Sequence, residues 1–162
     1  MNEGFATWVG WIAIDHLYPE WDIWSKFTTE SLQSALTMDS LRGSHPIEVE
    51  VNDALEIGQI FDAISYMKGS SCIRMLSNHL GVDVFLKGVR NYLKTHEYGN
   101  ATTEDLWAAL SDASGVPVMD NMTTWIKDVG YPVLSVSEAT HGITLKQSRF
   151  ISTGIFVTNL SF

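Results

Sequence analysis

The sequence predicts a mainly α-helical chain that ends in antiparallel β structure, and three observations carry that prediction. Apolar residues recur at intervals of three and four along most of the chain up to Gly130. Gly, Pro and Asn divide those stretches into helices of ordinary length. After Gly130-Tyr131-Pro132 the spacing becomes alternating, Val133-Leu134-Ser135-Val136-Ser137 and then Ile143-Thr144-Leu145-Lys146-Gln147, around a His141-Gly142 turn. That pattern reads as a β-hairpin.

The first helix runs from about Glu3 to His16, apolar on nearly every side, which marks a helix enclosed by others. Tyr18-Pro19 breaks it, and Trp21, Trp24, Phe27, Leu32 and Leu36 recur on a second helix ending near Leu41, with the tryptophans expected in the core. Ile47-Glu48-Val49-Glu50-Val51 alternates and predicts a short extended connector at the surface. A third helix spans Ile64 to Leu80 with Cys72, Ile73, Leu76 and Leu80 inward, and Gly81 ends it. Asp83 is expected to cap the next, whose inner face is Phe85, Leu86, Val89, Tyr92 and Leu93. Thr102 or Thr103 caps another, with Glu104 and Asp105 in its first turn and Leu106, Trp107 and Leu110 inward. Gly115 and Pro117 close it, and a last helix carries Met122, Trp125, Ile126 and Val129.

A domain boundary is expected near Gly130, with 1–130 helical and 131–162 the beginning of a β domain. A lone hairpin cannot bury a face by itself, so its strands should open a larger β structure. From about 155 the tail is uncharged but holds Ile155, Phe156, Val157, Leu160 and Phe162, an aggregation-prone composition if left uncovered.

Among 162 residues, 45% are hydrophobic and 18% charged, which excludes extensive disorder. Ten Lys plus Arg against nineteen Asp plus Glu leave a charge of -9, which disfavours nucleic acid and anionic membranes as partners. The longest apolar run, Phe5 to Ile14, holds ten residues, short of the ~20 a membrane-spanning helix needs. One cysteine, Cys72, forms no internal disulfide, and a cytoplasmic location is expected.

Common enzyme signatures are missing. His16, His45, His79, His96 and His141 are far apart, and no two have the i, i+4 spacing of a helical zinc pair. There is no Cys-x-x-Cys, phosphate loop or dinucleotide turn. Cys72 on an apolar helix reads as a structural thiol. Two segments remain. Asn2-Glu3-Gly4-Phe5-Ala6 sets a carboxylate at the start of an apolar helix, where Glu3 is either a solvated first-turn residue or a group needing a cation. Phe61-Asp62-Ala63-Ile64-Ser65-Tyr66-Met67-Lys68-Gly69 offers a tyrosine and a lysine before a glycine that admits a close neighbour. Tyr66 there is either a packed ring with a wet hydroxyl or a functional donor.

The same residues carry a resemblance. Asn2 to Ala6 resembles the N-E-G-F-A segment of zinc aminopeptidases of the leucyl, alanyl and puromycin-sensitive group, thermolysin-like metallopeptidases. Ser40 to Val51 resembles its S-H-P-I-E-V connector, Phe61 to Leu76 its F-D-x-I-S-Y-x-K-G-x-x-x-x-R-M-L block, and Tyr98 to Leu110 its Y-G-N-A-x-T-x-D-L-W region. The four blocks stand in the family's order, the match extends from Asn2 to about Gly154, and it is most similar to fungal cytosolic members.

The resemblance implies the C-terminal helical half of a thermolysin-like catalytic domain, followed by the first strands of a β-sandwich domain. It implies Glu3 as the third ligand of a catalytic Zn2+ and Tyr66 as the catalytic hydroxyl that donates to the oxyanion. It implies peptides with a free N-terminus as substrates. The 162 residues contain neither His-Glu-x-x-His nor Gly-x-Met-Glu-Asn, both expected upstream of Met1. The family usually has Leu where Met1 stands and often Pro where Glu50 stands. The chain alone is therefore expected to be a fragment that binds zinc weakly and turns over nothing, since one carboxylate cannot replace three or four converging ligands. Competing expectations are a truncated, non-catalytic form that binds its own full-length enzyme or the complementary fragment, and a zinc-free scaffold relative.

Overall fold

The computed structural model describes residues 1–154, the side chains of Ala54 and Glu56 excepted. Its architecture is mainly α with one hairpin, as the spacing predicts, and the tail from 155, expected to be aggregation-prone, lies outside the described residues. Helix α1 (Asn2–Leu17) has no apolar stripe to orient it. Residue size supplies the orientation instead: buried Gly4 lets α1 approach a neighbouring helix, and Trp8, 1% exposed, meets Phe85 edge-on at 5.0 Å. The expected enclosure on all sides is not found among the described residues, because Val9 and Leu17 are exposed. A helix lying on a single layer buries only the stripe that faces it.

Tyr18-Pro19 ends α1 in a 3-10 turn, Pro19–Trp21. Trp21, expected in the core, stacks on Tyr18 at 4.4 Å in solvent, because this turn lies before the second helix and out of phase with it. That helix is one rod built of α2 (Ile23–Lys26), a π-helical stretch Phe27–Leu32 and α3 (Gln33–Asp39). Its buried residues, Ile23, Phe27, Ser31, Ala35 and Asp39, come at every fourth position. In a pure α-helix that spacing drifts by about 40° per step. The wide π turn takes up the drift and keeps Asp39 on the core side.

The alternating connector is irregular, with Ile47 buried, Glu50 exposed, and the Glu48 amide donating to the Ile126 carbonyl at 2.9 Å. A second π stretch, Ile64–Lys68, runs straight into α4 (Gly69–Leu80). Asp62 caps its start, one carboxylate oxygen accepting from the amides of Ile64 at 2.8 Å and Ser65 at 3.2 Å. Cys72, Ile73 and Leu76 are buried as predicted.

Helix α5 (Val82–Thr95) begins directly after Gly81, so Asp83 sits within the first turn and does not cap it. There it still favours the positive end of the helix. Phe85 and Val89 are buried, whereas Leu86 and Leu93, predicted inward, are exposed. They lie roughly 80–100° around the helix from Phe85, beyond the stripe that a single neighbour covers. Helix α6 (Thr103–Ser114) carries the predicted cap at Thr102 as a reciprocal box with Asp105. Helices α5 and α6 touch at Gly88, where an added Cβ would stand 2.8 Å from Leu110 Cδ2. Helix α7 (Val118–Lys127) buries Val118, Met122 and Ile126, and Val129 lies past its end. The resulting core centres on Trp8, Ile64, Ile73, Phe85, Trp107 and Leu110.

Strands β1 (Pro132–Ala139) and β2 (Gly142–Arg149) pair antiparallel from Pro132 with Arg149 to Ala139 with Gly142, so Thr140 and His141 form the turn. Period-two geometry puts Leu134, Val136, Ile143 and Leu145 on one face. Those four are 55–64% exposed, so the apolar face is bare among the described residues. The hairpin is tied down at its base, where Tyr131 stacks on Phe150 at 5.3 Å and Ser152 donates its amide to the Ser40 carbonyl at 3.1 Å.

Candidate functional site

Glu3 stands in the first turn of α1, half-buried, immediately before Gly4. Tyr66 stands in the middle of the π turn, also half-buried, three residues before Gly69. The two glycines cross in backbone contact: a Cβ on Gly4 would lie 2.6 Å from both the Cα and the carbonyl carbon of Gly69. No residue with a side chain fits that gap. The crossing brings the Tyr66 hydroxyl up to the Glu3 carboxylate, although the pair falls short of a well-aligned hydrogen bond. Partial burial raises the Tyr66 pKa, and the neighbouring Glu3 carboxylate adds to the rise. The hydroxyl is therefore a protonated donor at neutral pH.

Both flanks of Tyr66 are pinned. Ile64 is wholly buried, and Lys68 is 6% exposed with its ammonium 2.8 Å from Asp39 Oδ2. Asp62 is held in turn by His45, whose Nε2 lies 2.8 Å from Oδ2 while Nδ1 is 2.7 Å from the Pro46 carbonyl oxygen. The S-H-P-I-E-V connector and the F-D-x-I-S-Y block are thus joined by a side-chain contact. A cavity of about 410 Å³ between Phe27, Leu36, Met75, Trp125 and Pro132 reaches Lys68 and Asp39, but Glu3 and Tyr66 do not line it.

Sequence reasoning did not single out Asp39, His45 or Asp62. Asp39 gives no signal, because it is one polar residue near a helix end and its partner is distant in the chain. Asp62 does give one: an Asp two residues before a buried helical Ile is a capping pattern.

Among the described residues, no three His, Cys, Asp or Glu side chains gather into a group that could hold a metal ion. Glu3 with Tyr66 beside it is one carboxylate donor, and the residues present do not by themselves fit a zinc ion.

The model of the peptidase family M1 domain matches residues 1–125. The chain belongs to the M1 peptidase family. As an M1 chain it is 57% identical over 155 residues to aminopeptidase 2 of Candida albicans, covering 95% of this chain and 17% of that protein. It is 58% identical over 154 residues to the alanine/arginine aminopeptidase of Saccharomyces cerevisiae, covering 95% of this chain and 18% of the yeast protein. Aminopeptidase M1 of Arabidopsis thaliana is 56% identical over 154 residues, with 95% and 17% covered. This M1 chain thus spans about one sixth of the length of these relatives. The matched residues of the M1 domain include both blocks that meet at the glycine crossing.

Proposed function

We propose that this chain is part of a zinc-dependent aminopeptidase that hydrolyses N-terminal residues from peptides. In the whole protein, Glu3 is one ligand of the metal, and the remaining ligands come from outside these 162 residues. Tyr66 donates its hydroxyl to the carbonyl oxygen of the scissile bond as that oxygen takes up negative charge. A donor preset in this way stabilises the tetrahedral intermediate more than the ground state, because the charge is present only there. The observation that carries the reading is the meeting of Glu3 and Tyr66 across the Gly4–Gly69 crossing, two residues 63 positions apart whose family blocks also match. By itself, the 162-residue chain binds zinc weakly and does not turn over.

Residues 1–130 form the helical part of the peptidase domain, and 131–162 open a β domain. The bare face of Leu134, Val136, Ile143 and Leu145 supports that division. It also supports a second reading of the chain on its own, as a non-catalytic form that associates with the complementary parts of the same protein. The cytoplasm is the compartment we propose, on the ground that the lone thiol suits a reducing environment. No helix of the described residues is long and apolar enough to cross a membrane.

The test uses the whole protein. Tyr66→Phe should lower kcat by about 100- to 1,000-fold on an aminoacyl reporter with little change in KM, the cost of losing one oxyanion donor. Glu3→Gln should lower the bound zinc measured by atomic emission. Full activity in Tyr66→Phe, or full zinc in Glu3→Gln, removes the role assigned to that residue.

A further inference from the structure

Asp39 and Lys68 form a buried ion pair that has no part in the roles proposed for Glu3 and Tyr66. Asp39 is 1% and Lys68 6% exposed, and Nζ lies 2.8 Å from Oδ2. The pair makes four further hydrogen bonds. Lys68 also donates to the carbonyls of Gly130 at 3.0 Å and Asp128 at 3.4 Å. The other oxygen of Asp39 accepts from the Gly130 amide at 2.9 Å and from the Ser44 hydroxyl at 3.0 Å. The pair therefore grips residue Gly130 by both its N–H and its C=O, in the two peptide units that flank its Cα, where the chain leaves the helices for the hairpin. Gly130 itself has φ 93, and a Cβ there would meet the Arg149 side chain at 2.3 Å, so the gripped residue has to be glycine.

A buried ion pair is a weak source of stability, since well-packed apolar residues of equal size are often as good or better. Its placement gives it another use. Lys68 is the last residue of the π turn Ile64–Lys68, and Tyr66 is the middle one. A π turn is disfavoured against an α turn and persists where its surroundings hold it. Rewinding it to α geometry would swing the residues before it by roughly 100° about the axis, one residue's rotation. Ile64 and the Asp62 cap hold one end of the turn, and Lys68 holds the other through Asp39.

We infer that Asp39 and Lys68 are positioning residues for Tyr66: their ion pair fixes the π turn that aims the Tyr66 hydroxyl at Glu3, and it locks that turn to the entry of the hairpin. The inference rests on the reading of Tyr66 as oxyanion donor.

The experiment is a double-mutant cycle in the whole enzyme, with Lys68→Met, Tyr66→Phe and both together, reading kcat, KM and bound zinc for each. Lys68→Met should lower kcat by about 10- to 100-fold, the penalty of a donor displaced by around 1 Å, with KM and zinc content near those of the unmodified enzyme. In the Tyr66→Phe background it should cost less than about threefold more, because the group it positions is gone. An equal loss in both backgrounds overturns the inference and leaves the Tyr66 reading standing. Unchanged kcat in Tyr66→Phe overturns both. If Lys68→Met fails to fold, Asp39→Asn carries the same cycle, since its amide oxygen still accepts from Gly130 and Ser44 while the charge is gone. The same loss of effect in the Tyr66→Phe background is then expected, and independence of the two overturns the inference.

Discussion

Gly4 and Gly69 pack backbone against backbone, and the two helix segments that carry Glu3 and Tyr66 cross at that point. Neither glycine needs an unusual backbone angle, as both lie in helical conformation. What they provide is the absence of a side chain, which lets two helices approach closer than any Cβ would permit. The candidate site is thus built by a packing contact between two residues that carry no side chain.

Replacing either glycine should therefore act on stability and activity together. Gly4→Ala forces a Cβ to 2.6 Å from two Gly69 backbone atoms, whereas Gly69→Ala brings its Cβ to 3.0 Å from Gly4 Cα. Overpacking of this kind costs about 1–3 kcal/mol, and Gly4→Ala should fall at the upper end because backbone cannot swing aside. Urea unfolding of the whole protein checks the order. A Gly4→Ala protein as stable as the unmodified one would show that the helices separate without cost.

Cys72 should resist thiol reagents in the folded protein. Burial pushes its pKa from 9.0 up to about 12, only partly offset by the Lys68 charge. Labelling with a chromogenic disulfide at pH 8 should be slow, and rapid once denaturant is added. A folded pKa above the unfolded one means that the stability tied to the neutral thiol is complete below the ordinary value of 9.0. It is then lost as pH climbs toward the folded value. Immediate stoichiometric labelling at pH 8 would contradict the buried placement.

The cap of α6 offers a surface test. Thr102→Ala should cost about 1 kcal/mol at neutral pH. Hydrogen bonds from the Thr102 amide and hydroxyl hold the Asp105 carboxyl below its ordinary pKa of 3.8. Stability from that bond is present above the unfolded value and is lost as pH falls through the folded one. The difference between unmodified and Thr102→Ala proteins should accordingly shrink in acid, as read by thermal melts between pH 7 and 3. A difference that stays constant across that range would remove Asp105 from the cap.

The hairpin should respond in opposite directions in the two contexts. Leu145 is 56% exposed among the described residues. Leu145→Lys should raise the soluble fraction of the 162-residue chain, because it interrupts a bare apolar face. In the whole protein the same change should lower the melting temperature if that face is covered there. Improved solubility with no penalty in the whole protein would mean that the face stays open.

Much of the fold is legible in residue order because the signals are local. Thr102 with Asp105, Gly115 in the left-handed region, and the alternation on either side of Thr140-His141 each state their structure within a few positions. Errors arose where orientation depends on a partner. Leu86 and Leu93 are apolar in the right rhythm, yet rhythm cannot tell which neighbour is present to cover them, and Trp21 falls in a turn that the rhythm runs through without marking.

By itself, the order of residues determined the helices, the hairpin, the family, and Glu3 and Tyr66 as the positions to watch, because periodicity, caps and short motifs are written over adjacent positions. The tertiary structure alone decided that Gly4 meets Gly69, that Glu3 meets Tyr66, and that Asp39, Lys68 and Gly130 lock together. Those pairings join segments tens of residues apart. Close approach and burial of charge are properties of the packed chain, and no single segment carries them.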